Sequence, residues 1–361
     1  MKFIYSILVI ATLLLVGCKQ DLQVAASHYL DIPVVYSLLN ISETYPTGPN
    51  THYIRIQKGY LLKGNAYLAT GIIDSIYYPV NGITVKLYGS AGYDSFALTR
   101  VDGSSPGIGL NKDTGIFANT PNYLYSFNAS GGYALNANET YTLVISKTVN
   151  GQLQTLATAV DSIVGNFPIY SPSRIGGSSI AFSNTQPQVL TWGLAQNGGI
   201  YDLTVRFFYR EYSSLTNTLT KDTFIDIPVF QSLIPPANNA SGNLTFTLTS
   251  SIITNYLANN LVASPDIYRE FNYQKGMQFK FAAGGNALAN YFLQQQAQSG
   301  LTSSNALPTY TNVTGGIGVF SSRNYQEVDS IVLAPNGLDS LACDPVAGKL
   351  NFRNTVGRIC N

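Results

Sequence analysis

The chain has 361 residues, only 11% of them charged, and a formal net charge of +1. So little charge, so evenly split, leaves no basic stripe to displace counterions from a phosphate backbone, which argues against a nucleic-acid partner. At 45% hydrophobic residues the composition is that of a folded chain and not a disordered one, and the length suggests two domains. Its 25 tyrosines and 32 glycines accompany abundant Asn, Ser and Thr. Tyr and Thr favour strands while Asn and Gly favour turns, so the composition reads as an extracytoplasmic β protein.

The chain opens with the positive pair Met1-Lys2 and an apolar run from Phe3 to Val16. That run is too short to span a bilayer core, which takes roughly 20 residues, and fits a cleaved export signal over residues 1–17. It ends at Leu15-Val16-Gly17-Cys18, which resembles the lipobox of bacterial lipoproteins. The resemblance implies that Cys18 becomes the first mature residue and carries acyl chains, palmitate among them. Several chains on one cysteine anchor firmly, since each buried CH₂ contributes ~0.8 kcal/mol. Residues 18–30 then read as a lipidated tether. Its Lys19 and Asp21 resemble in part the charged export tag of Bacteroidota lipoproteins, which expects a second acid. An outer-membrane location is expected, with the face left open.

Residues 31–165 are expected to form an N-terminal β-sandwich. Ile32 to Leu39, His52 to Gln57, Ile83 to Tyr88 and Thr140 to Ile145 read as strands, several by strict alternation. Leu153 to Val160 returns from Thr140 to Ile145 through Asn150-Gly151, a strong hairpin dipeptide. Asn119 to Phe127 reads as an exposed Tyr- and Asn-rich loop suited to adaptable polar recognition. A Pro-, Ser- and Gly-rich stretch from Gly165 to Gly177 places the domain boundary.

Residues 166–361 are expected to form a second sandwich with a helical insertion. Val189 to Trp192 is a strand. In Tyr201 to Arg210, Tyr201, Leu203, Val205, Phe207 and Tyr209 share one face, the pattern of a half-buried antiparallel strand. Trp192 beside this Tyr-rich strand is similar to immunoglobulin and fibronectin-III sandwiches, which makes it core. Ser251 to Val262 and Asn286 to Ser299 carry helical spacing, with Asn286 as N-cap and Leu288, Tyr291 and Phe292 on one face. Thr311 to Phe320 returns to sheet. Its Gly316-Ile317-Gly318 has no following helix to meet a pyrophosphate, so these glycines are backbone for a turn or bulge.

Chemistry-bearing motifs are sparse. Only His28 and His52 are present, neither beside a nucleophile, and no nucleophile-elbow, P-loop or zincin pattern occurs. No catalytic residue, metal or cofactor is expected. Asp266 and Glu270 could in principle flank a glycosidic bond, though solvation or salt bridging accounts for such a pair. Once Cys18 is lipidated, Cys343 and Cys360 remain, and an even remainder in an exported protein reads as one disulfide. Four Asp-Ser-aliphatic tripeptides place Ser75, Ser162, Ser330 and Ser340 in a pattern that resembles the O-glycosylation acceptor of exported Bacteroidota proteins. Asp-Ser also makes turns before strands, and that reading stays open.

The lipobox, Ile32 to Leu39, Tyr141 to Ile145 leading to Ala157-Thr158-Ala159, and Thr311 to Phe320 together resemble a Bacteroidota lipoprotein family defined by a domain of unknown function. The resemblance implies a two-part β protein, often encoded beside TonB-dependent outer-membrane receptors, and carries over no catalytic residue. The function expected is that of a non-enzymatic outer-membrane binding or accessory subunit. A fimbrial or adhesive subunit is the first alternative, whose maturation by cleavage would use Arg55 or a neighbour. A surface glycan-binding protein is the second.

Overall fold

A computed structural model describes residues 32–41, 51–59, 71–92, 95–113, 115, 118–129, 134–173, 179–180, 187–236, 239, 242–298 and 310–353. Cys18 with its lipobox, the tether with His28, and Cys360 lie outside the described residues. The chain is mostly β, 53% strand and 15% helix, arranged in several sheets.

The strands of the first half are β1 (Ile32–Asn40), β2 (Thr51–Gly59), β3 (Thr84–Gly89), β4 (Ser95–Ala97), β5 (Thr99–Asp102), β6 (Tyr123–Asn128), β7 (Thr140–Val149) and β8 (Gln152–Ser162). Those of the second are β9 (Ile169–Ser171), β10 (Ser179–Ile180), β11 (Gln188–Gly193), β12 (Gly198–Ser213), β13 (Leu219–Leu233), β14 (Asn243–Leu248), β15 (Ile267–Phe271), β16 (Met277–Gly285), β17 (Val313–Thr314), β18 (Ile317–Leu333) and β19 (Phe352–Arg353). The helices are α1 (Ile73–Ile76), α2 (Ser250–Asn260), α3 (Asn286–Gln298) and α4 (Pro335–Cys343), with a 3₁₀ turn at Ala347–Leu350.

One eleven-stranded sheet runs β19-β15-β12-β16-β18-β1-β2-β6-β5, with β13 beside β12 and β10 beside β18. A five-stranded sheet, β17-β8-β7-β3-β4, covers its first half. Between them lies a core of Val35, Leu39, Ile54 and Ile56 against Val85, Leu87, Leu143 and Ile145. The three-stranded sheet β14-β11-β9, with α2 and α4, covers the other half. Its core is more aromatic: Trp192, Tyr201, Phe207, Phe279 and Phe281 are each at most 1% exposed. Trp192 stacks on Phe230 at 5.4 Å between centroids.

The alternating residues Tyr201, Leu203, Val205, Phe207 and Tyr209 all enter this second core, as a strand with one buried face requires. At the hairpin joining β7 and β8, Asn150 and Gly151 both take positive φ, 53° and 80°, the geometry that fits a tight turn to the twist of two strands.

Near residue 165 the chain passes from one core to the other. Ile163 belongs to the first core and Val164 to the second, yet the large sheet does not stop there. β1 pairs in parallel with β18, Val34 opposite Ile317 through Asn40 opposite Arg323. Residues assigned by sequence to the second unit thus build the first: Val313 and Phe320 sit in its core. The seam depends on glycine. Gly318 has φ +114°, and a Cβ there would overlap the Val35 carbonyl oxygen. The Gly316-Ile317-Gly318 run is therefore a close-approach device between two strands.

Asn119 to Phe127 is not the exposed loop expected. Most of it is β6, paired with β2 and β5, with Leu124, Tyr125 and Phe127 buried. Three large apolar side chains among six strand residues outweigh the polar flanks. The expected apolar face of α3 also differs: Ala287 and Ala289 are buried, while Phe292 is 38% exposed.

Candidate functional site

In β1 and β2, odd and even residues go to opposite faces. Val35, Leu39, Ile54 and Ile56 face the first core. Tyr36, Leu38, Tyr53 and Arg55 therefore lie on the outer face, where Tyr36 pairs with Arg55 across the ladder. α3 is seated on that outer face further along the sheet. Gly284 of β16 makes the room, since a Cβ there would come within 2.7 Å of Leu288 Cδ2. Gly284 is the register partner of Arg323 on β18.

The flank of α3 and this outer face border an open cleft of about 370 Å³, lined by residues from both halves of the chain. Tyr36, Tyr53 and Tyr291 supply phenols; Leu38, Leu124, Leu288 and Val319 supply apolar surface; Arg55 and Arg323 supply charge. Among the described residues no carboxylate lines the cleft.

The two arginines are unusual within this molecule. Arg55 Nε and Arg323 Nε are buried without a hydrogen-bond partner among the described residues, and neither side chain forms an ion pair there. Arg323 lies over the Tyr325 ring, 5.0 Å from its centroid. By contrast Arg206 forms a two-pronged pair with Asp226 at 2.7 and 2.8 Å. Arg269 bonds Glu211, the Leu350 carbonyl and the Val262 carbonyl, each at 2.9 Å. Guanidinium does not shed its proton, and a buried, unpaired donor costs roughly 1–3 kcal/mol, more when charged. Burial, with Tyr291 beside it, raises the Tyr36 hydroxyl above its ordinary value, so it stays a hydrogen-bond donor at neutral pH.

Of the residues singled out by sequence, the structure brings few together. Cys343 ends α4 and is exposed. Ser75 lies in the single turn of α1, Ser162 ends β8, Ser330 is exposed in β18 and Ser340 lies in α4. These are four separate settings, and the turn before a strand is not their common feature. Ser330 has φ +59° where β18 slips register against β16. Asp266 is exposed in the turn before β15 and Glu270 lies within that strand. His52 stacks on Phe127 at 5.0 Å, and burial lowers it to about 4, so it is neutral at pH 7. Among the described residues no cluster of His, Cys, Asp and Glu could hold a metal ion.

The cleft itself was not expected. Of the lining residues, sequence reasoning gave Arg55 a role as a cleavage point, Leu124 a place in the expected recognition loop, and Leu288 and Tyr291 a place on a helix face; Arg55 stands mid-strand in β2. What joins it to Arg323 is the parallel β1–β18 register, which leaves no local pattern in either segment.

No family model matches the sequence, and no curated protein matches it. Among solved structures, the C-terminal globular domain of the oligosaccharyltransferase from Pyrococcus abyssi is matched at 9% identity. The match covers 84% of this chain, which spans about half (50%) of the length of that one, with a TM-score of 0.18. A likeness at that score carries no argument about fold or function. No described helix is long and apolar enough to cross a membrane.

Proposed function

We propose that the protein is a non-enzymatic binding subunit, held in the outer membrane by lipid on Cys18, that works beside a TonB-dependent receptor and seats its ligand in the cleft of β1, β2, β18 and α3. The observation that carries the binding reading is the pair of arginines, Arg55 and Arg323, that line one cleft and form no ion pair among the described residues. The anchor rests on the lipobox pattern, and the receptor on the family resemblance. In this reading the two halves are immunoglobulin- or fibronectin-III-like sandwiches sharing one large sheet. A Cys343–Cys360 disulfide ties down the end of the chain, and Ser330, the exposed member of the four Asp-Ser sites, is the most accessible to glycosylation.

The test is affinity purification of the tagged protein from detergent-solubilised outer membranes, beside a Cys18→Ser variant. A stoichiometric TonB-dependent barrel with the wild type, and loss of the variant from the membrane fraction, are the expected results. Self-polymers trimmed at the N-terminus would replace this reading with a fimbrial one. A lone monomer retained on a glycan matrix would replace it with glycan binding.

A further inference from the structure

We infer that the cleft takes a small organic oxyanion, one carboxylate, sulfate or phosphate group on a ring-shaped or apolar body. The inference deepens the proposed binding function and rests on the cleft being its ligand seat. Three observations carry it.

The first is charge. Among the described residues two guanidinium groups and no carboxylate line the cleft, while Arg100, Arg206, Arg210 and Arg269 all have hydrogen-bond partners within the fold. A planar fork of donors matches carboxylate, sulfate or phosphate oxygens, so the group that complements two cleft-lining guanidinium groups without an ion pair among the described residues is an oxyanion. The second is size. About 370 Å³ lies at the lower end of the range for small-molecule sites, roughly 300–1,000 Å³; it holds a compact molecule. The third is the wall. Tyr36, Tyr53 and Tyr291 line the cleft together with Leu38, Leu124, Leu288 and Val319, a mixture of aromatic, apolar and hydroxyl surface that suits a body with one flat or apolar face and some polar edge.

An acidic sugar and an aromatic acid share this chemistry. Matched pairs separate them: glucuronate against glucose, and benzoate against benzamide. Each pair differs mainly in the charge of one group. The readout is thermal unfolding of the full-length protein in detergent, at constant ionic strength. At saturating concentration one acid should raise Tm by roughly 2–5 °C and its neutral counterpart should not. Arg55→Gln and Arg323→Gln should each abolish the rise, and Arg55→Lys, which keeps charge but loses the fork, should diminish it. Arg210→Gln, outside the cleft, should leave it intact. If Arg55→Gln does not fold, Arg323→Gln and Arg55→Lys still decide the matter.

Equal rises with acid and neutral compound, no rise with either acid, or a rise surviving in both glutamine variants would overturn the inference. Recovery of a receptor barrel together with any of these results would leave the accessory function standing without its anionic ligand. An acid-specific rise without a barrel would do the reverse.

Discussion

Arg269 and Arg55 both stand on paired strands of the same large sheet, and they differ in what meets their charge. The Arg269 side chain is 3% exposed and is met on every side by Glu211 and two carbonyls. It ties β15 to β12 and to the 3₁₀ turn before β19. Arg55 has its Nε equally shut away and nothing to bond among the described residues. One region uses a buried cation to hold its own elements together; the other places two half-buried cations, without an ion pair among the described residues, on the lining of a cleft. Folding stability explains the first arrangement, and the second leaves each Nε without a hydrogen bond among the described residues.

The comparison depends first on the seam that lets both regions share a sheet. Replacing Gly318 by Val would drive a side chain into the Val35 carbonyl and force an L-residue to φ +114°. The expected loss is about 4 kcal/mol or more, seen as failure to give a cooperative unfolding transition. Arg269→Met comes next. It strands Glu211 and two carbonyl acceptors, and should lower stability by about 3–5 kcal/mol in urea titration.

A disulfide between Cys343 and Cys360 would add about 3 kcal/mol by restricting the unfolded chain. Intact-mass measurement with and without reductant tests the pairing, and reduction should lower Tm measurably. A smaller effect belongs to the first core. His52 is held near 4 in the folded state against about 6.5 in the unfolded chain. The unfolded state therefore binds the extra proton between those values. Stability is complete above pH 6.5 and falls as pH drops toward 4, by roughly 2–3 kcal/mol. His52→Phe, which preserves the stacking on Phe127, should flatten that slope.

Much of the local structure was legible in the sequence because its periodicity is local. Tyr201 to Tyr209 alternate and form a half-buried strand; Asn150-Gly151 makes its hairpin; Ser251 to Val262 differs from the observed Ser250–Asn260 helix only at its ends. Asn119 to Phe127 was misread because its Asn and Tyr content was weighed above Leu124, Tyr125 and Phe127. The cleft was not legible at all. Arg55 and Arg323 come from opposite ends of the chain, and they meet one cavity only through the parallel β1–β18 register and the seating of α3 over Gly284. Neither leaves a motif, since parallel pairing between distant segments depends on the whole fold.

The central claim is that Arg55 and Arg323 are kept for a ligand and not for the fold. Urea denaturation of Arg55→Met and Arg323→Met, each against the wild type without ligand, tests it most directly. Removing a half-buried cation that forms no ion pair among the described residues should shift the midpoint by no more than about 1 kcal/mol. A fall on the scale expected for Arg269→Met would mean that these arginines support the fold, and would contradict the account.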